Sequence, residues 1–104
     1  MPVPKIYNET EVLQRVPGSI GDGAKTVSSA GTRVQLGSGT CIYAIICAKP
    51  GNTGYIYVGG STVSATSGVH LVALEKVRVD VDNLDKIYLD ADTGGEGVQY
   101  YYVY

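Results

Sequence analysis

The stretch Cys41-Ile42-Tyr43-Ala44-Ile45-Ile46-Cys47-Ala48 is apolar at every position and closed by Lys49-Pro50-Gly51. It is too short to span a membrane, and its Ile and Tyr content favours an extended chain over a helix. As a strand it has two apolar faces: Cys41, Tyr43, Ile45 and Cys47 on one, Ile42, Ala44, Ile46 and Ala48 on the other. A strand of that kind is either central in a two-layer core or covered by another subunit. Everything else in the chain must fit around it.

The rest of the sequence supplies short companions. Lys25–Ser28 and Thr32–Leu36 flank Ala30-Gly31, which predicts a hairpin. Pro50-Gly51-Asn52-Thr53-Gly54 predicts a turn that returns Tyr55–Val58 against Thr40–Lys49. Gly59-Gly60 and 61–68 form a polar loop, with a short strand expected at Thr62–Ser64. Val69–Leu74 and Val77–Val81 follow; in the second, Val77, Val79 and Val81 alternate with Arg78, Asp80 and Asp82, which marks a sheet with one solvated face. Asn83-Leu84-Asp85 turns the chain into Lys86–Asp90, and Val98–Tyr104 is the last strand after a Gly-rich loop over 92–97. The expected fold is all-β, a single β-sandwich or jelly-roll-like barrel of about seven to nine short strands with an N-terminal arm. The boundaries are 1–23 for the arm or a short helix and 24–104 for the sandwich. With 104 residues, one core is available.

In the first 23 residues, Asn8 or Thr10 could cap a helix over Glu9–Val16, and an extended arm fits equally well. Such a segment buries little alone, so Val3, Ile6, Tyr7, Val12 and Leu13 are expected to lie against a neighbouring subunit. A second interface is expected at Tyr100, Tyr101, Tyr102 and Tyr104. There Val98, Tyr100, Tyr102 and Tyr104 line one strand face, and Tyr101 and Val103 the other. The chain has nine Tyr and neither Phe nor Trp, and Tyr is enriched where one end is packed and the other is wet.

Catalytic and ligand patterns are weak by comparison. His70 is the lone histidine and belongs to no nucleophilic triad or zinc-type spacing. Asp80, Asp82, Asp85, Asp90, Asp92 and Glu96 form the most site-like feature. If the strands carrying Asp80/Asp82 and Asp90/Asp92 pair, four carboxylates converge on one patch suited to calcium. The loop pattern for calcium fails, however, with Leu84 where an oxygen ligand is needed and Asp85 where a glycine is needed, so solvated acids are the expected reading and no metal or cofactor is expected. Gly59-Gly60-Ser61-Thr62 lacks the lysine and helix of a phosphate loop. Asn8-Glu9-Thr10 matches a glycosylation acceptor without a secretory leader to give it weight.

Net charge is −2 and no Lys/Arg cluster occurs, so nucleic acid is not an expected partner. No run of about 18 apolar residues occurs, so neither is a membrane. Cys41 and Cys47 on one strand lie about 20 Å apart and cannot bridge, which suits two free thiols in a reducing compartment.

The run Val58-Gly59-Gly60-Ser61-Thr62-Val63, then Ser67-Gly68-Val69, then Val77-Arg78-Val79-Asp80-Val81-Asp82-Asn83-Leu84-Asp85-Lys86-Ile87-Tyr88 resembles small structural proteins of tailed bacteriophages. The resemblance covers residues 24–104 and is one of turns and strand ends. It implies a non-enzymatic virion component assembled in the host cytoplasm. That component would be a capsid decoration or cement protein forming a homo-oligomer, a trimer favoured, and binding the major capsid protein through an N-terminal arm. A tail or head-fibre component, and a carbohydrate-binding sandwich using Tyr55, Tyr57 or Tyr88, are the alternatives.

Overall fold

A computed structural model describes residues 18–104. The arm residues Val3, Ile6, Tyr7, Val12 and Leu13, and the helix considered over Glu9–Val16, lie outside the described residues. The rest forms eight strands: β1 (Ile20–Val27), β2 (Val34–Gln35), β3 (Tyr43–Ala48), β4 (Ile56–Gly59), β5 (Val69–Leu71), β6 (Lys76–Val79), β7 (Tyr88–Ala91) and β8 (Glu96–Val103). A 3-10 turn over Leu84–Lys86 precedes β7, with the Asn83 side chain accepting from the Asp85 N–H. Among the described residues no helix is long and apolar enough to cross a membrane.

The strands make two four-stranded antiparallel sheets, β1-β8-β3-β6 and β2-β7-β4-β5. Every connection except β4–β5 passes from one sheet to the other. That order is a jelly roll, the arrangement that two Greek keys produce when an eight-stranded chain folds over itself. Between the sheets lie Val27, Leu36, Ala44, Ile46, Ala48, Ile56, Val58, Leu71, Leu84, Ile87, Leu89 and Val98, nearly all shielded from water.

Several pairings differ from the sequence expectations. Lys25–Ser28 and Thr32–Leu36 do not form a hairpin: β1 pairs with β8 and β2 with β7, so the Ala30-Gly31 turn is a corner between sheets. The 50–54 turn is a second corner, because β3 and β4 also belong to opposite sheets. A turn motif reverses the chain equally well within a sheet or across the core, and here the crossings bring Val27 and Leu36, and Ala48 and Ile56, into one buried core. Among the described residues the one within-sheet hairpin joins β4 to β5. Gly68 adopts φ +83° in it and approaches the Val58 carbonyl so closely that a Cβ would sit 2.6 Å from that oxygen. Of the strand expected at Thr62–Ser64, only an isolated Ser64–Ser67 bridge is present.

The domain boundary moves as well. β1 starts at Ile20, so residues 20–23, assigned to the arm, belong to the sandwich. Gly21 and Gly23 are strand residues paired with Tyr102 and Tyr100. The phenol rings lie across these glycines: a Cβ on Gly23 would stand 2.7 Å from the Tyr100 hydroxyl, and one on Gly21 would overlap the Tyr102 ring. A large ring covering a strand glycine restores the packing that the missing side chain forgoes.

Candidate functional site

β3 divides its side chains as its sequence demanded. Ala44, Ile46 and Ala48 are buried between the sheets, while Tyr43, Ile45 and Cys47 point the other way and are only half-buried. Because β3 is an interior strand of its sheet, this outer row has neighbours on both sides. The registers give the rows across the face. Asp22, Tyr101, Ile45 and Arg78 stand side by side on β1, β8, β3 and β6. Ala24, Gln99, Cys47 and Lys76 form the next row, and Ile20, Val103 and Tyr43 the row before.

The middle of the face is therefore apolar and aromatic, with Asp22 at one edge and Lys76 and Arg78 at the other. Ile20 is 66% exposed and Tyr101 39% exposed. Ile45, Cys47, Lys76, Gln99, Tyr100 and Tyr101 border a shallow hollow of about 310 Å³. The Arg78 guanidinium lies 3.9 Å from the centre of the Tyr43 ring, and its Nε donates to Asp80 at 2.9 Å. These contacts raise the Arg78 pKa, with the Asp80 hydrogen bond as the main cause. The cation is held over the Tyr43 ring at the border of this face.

The terminal-strand tyrosines separate by side. Tyr100 and Tyr102 are half-buried and pack on the core, with burial pushing the Tyr100 hydroxyl pKa up. Tyr100, Tyr102 and Tyr104 run as a column with ring centres 6.2 and 5.6 Å apart, and Tyr104, at 50% exposure, ends it. Tyr101 alone of the four stands on the β3 outer face. The sequence reading missed Ile20, Asp22 and Ala24. Their signal was the alternation Ile20-Gly21-Asp22-Gly23-Ala24-Lys25-Thr26, masked by reading the glycines as turn punctuation.

The acidic cluster does not assemble. β6 and β7 lie in different sheets, so Asp80/Asp82 and Asp90/Asp92 do not share a patch. Among the described residues no three His, Cys, Asp or Glu groups come together as a metal-ligand set. Asp80 pairs with Arg78, and Asp82 meets Lys86 at 2.7 Å. Asp90 is buried and accepts from the Gly31 N–H at 3.0 Å and the Ala91 N–H at 2.8 Å. Asp92 accepts from the Tyr57 hydroxyl at 2.8 Å and the Tyr55 N–H at 3.2 Å. Glu96 accepts from the Thr53 N–H, the Thr53 hydroxyl and the Gly54 N–H at 2.7, 2.8 and 3.0 Å, which lowers its pKa. These last three carboxylates hold corners and turns.

Of the tyrosines considered for sugar stacking, Tyr57 is buried, so its ring is closed to a ligand. Tyr55 is 42% exposed and meets His70 edge-on with ring centres 4.9 Å apart. Cys41 and Cys47 are free thiols; Cys41 precedes β3 instead of continuing its outer face, is buried, and donates to the Val81 carbonyl. No family model, curated protein or solved structure matches the chain.

Proposed function

We propose that this protein is a non-enzymatic assembly subunit that associates with copies of itself and decorates the capsid of a tailed bacteriophage. The observation that carries the assembly reading is the outer face of the β1-β8-β3-β6 sheet. Ile20, Tyr43, Ile45, Cys47 and Tyr101 line this face around the nearly covered Val103, an apolar and aromatic surface bordered by charges of both signs. Aromatic centres with a charged rim are the composition of protein contacts, and contiguous exposed apolar patches mark such sites. The resemblance of the turns and strand ends between Val58 and Tyr88 to small phage structural proteins supports the virion setting, and a jelly roll is compatible with it by analogy of fold.

In such a role, burial of this surface across two or more subunits would oppose their separation. Two measurements test the reading. Light scattering on the purified protein should give a multiple of the 11.0 kDa chain mass. Electron microscopy of particles with and without the protein should then show density on the shell that disappears in its absence. Unchanged density would remove the capsid from the account.

A further inference from the structure

Sheet order ends at β6, so among the described residues one side of that strand has no neighbouring strand. Ala48 donates to the Glu75 carbonyl at 2.9 Å, which sets the phase of the β3–β6 ladder. By the alternation of an antiparallel pair, Val77 and Val79 direct their N–H and C=O groups to β3, and Lys76 and Arg78 direct theirs outward. Asp80 is the next outward position, and its backbone bonds to no other described residue. Contact with the β3 side resumes at Asp82, whose carbonyl accepts from the Cys41 N–H at 3.0 Å. The open backbone therefore spans Lys76–Asp80.

The side chains along this edge keep one alternation throughout. Lys76, Arg78, Asp80 and Asp82 are exposed, while Val77, Val79 and Val81 pack against the core yet stay half-buried. Beside the valines a groove of about 370 Å³ runs between the sheets, and Val58, Val69 and Ile87 complete its apolar lining. Unpaired edge amides above such a groove are what an added strand requires: the backbone supplies affinity and alternate side chains enter the groove. The other edges lack this combination. β2 and β5 are two and three residues long, and β1 sets its one acid, Asp22, and its one base, Lys25, on opposite faces.

Charge selects the occupant. The sequence Lys76-Val77-Arg78-Val79-Asp80-Val81-Asp82 reverses sign about Val79, with two bases before it and two acids at the mirrored positions after it. A second copy running antiparallel, with Val79 on a two-fold axis, is therefore its complement. Arg78 falls opposite Asp80 of the copy and Lys76 opposite Asp82, and opposite charges across a strand pair are stabilising. On the other face Val79 meets Val79 and Val77 meets Val81, which covers the mouths of both grooves. The backbone phase agrees, because Arg78 and Asp80 both point outward and together exchange about four ladder hydrogen bonds. Centring the pair on Arg78 or on Asp80 instead would set like charges face to face, which is destabilising.

We infer that the β6 edges of two copies pair antiparallel about a two-fold axis at Val79, joining their sheets into one continuous sheet. The contact is isologous and closes on itself. It also sets two outer faces side by side, which extends the apolar surface proposed above for assembly. A strand pair of this length is marginal alone, so it holds within the assembly that burial of the outer face drives. The inference rests on that self-association and names one of its contacts.

The test uses two full-length variants, read by light scattering and by amide exchange at positions 78 and 80. The wild type should be oligomeric with both amides protected. Asp80→Arg sets bases against bases across the axis, and Arg78→Asp sets acids against acids. Each variant alone should lose the protection and fall to a smaller mass, while the amide of Val98, buried in β8, stays protected. An equimolar mixture of the two should regain both, because unlike charges then meet across the axis. The Arg78–Asp80 pair within a subunit is broken in both variants and stays broken in the mixture, so recovery reports the contact between copies. An oligomeric wild type whose variants keep its mass and protection, or whose variants recover neither on mixing, overturns the edge pairing and leaves self-association standing. A monomeric wild type overturns both.

Discussion

Glu96 joins the end of one sheet to a corner of the sandwich through three short hydrogen bonds to Thr53 and Gly54, and Asn52 reinforces the corner by bonding both the carbonyl and the N–H of Gly97. Those donors stabilise the ionised carboxylate, so the Glu96 pKa in the fold lies below its ordinary value. A group whose pKa is lowered by folding adds stability above its unfolded pKa and loses it as pH falls through the folded one. Thermal midpoints recorded between about pH 7 and pH 3 should therefore fall with acid, and Glu96→Gln should flatten that dependence while lowering the midpoint at neutral pH. An unchanged slope in Glu96→Gln would assign the acid loss to other groups. Gly97 makes a second residue-level prediction. A Cβ there would collide with the Lys25 carbonyl and lie 2.8 Å from the Thr26 Cα, so Gly97→Ala should destabilise the fold by several kcal/mol in urea titration.

Among the elements, β3 carries the sharpest contrast. Ile46 is fully buried between the sheets, and Ile45, one position away, is on the outer face. Ile46→Ala should cost about 2–5 kcal/mol of folding stability from lost burial and the cavity left behind. Ile45→Ala should cost far less in a dissociated subunit and should weaken self-association instead. Urea titration of both variants, with the mass measured in parallel, separates the two roles.

The same strand shows what the sequence could and could not reveal. The two apolar faces of Tyr43–Ala48 and the alternation of Val77, Arg78 and Val79 were legible, because side-chain period is local information. Partner choice was not. Ala30-Gly31 and Pro50–Gly54 announce reversals, yet each leads across the core, a result decided by burial far away in sequence. The glycines of β1 misled for a related reason: only the rings of Tyr100 and Tyr102, about eighty residues on, explain a Gly there. The acidic residues looked like one cluster because they are close in the chain. The jelly-roll order sends Asp80 and Asp90 to different sheets.

For the whole molecule, the jelly roll closes one apolar layer and leaves a second only half-buried. The core between the sheets accounts for Ala44, Ile46, Ala48 and Val98, while Tyr43, Ile45, Cys47 and Tyr101 remain at the surface of the subunit. The central claim is that this second layer is buried between subunits. Light scattering across micromolar concentrations, comparing the wild type with Tyr101→Glu, tests it most directly. The account predicts a wild-type mass that is a multiple of 11.0 kDa and a folded Tyr101→Glu near 11.0 kDa. A wild type that stays at 11.0 kDa throughout that range would contradict it.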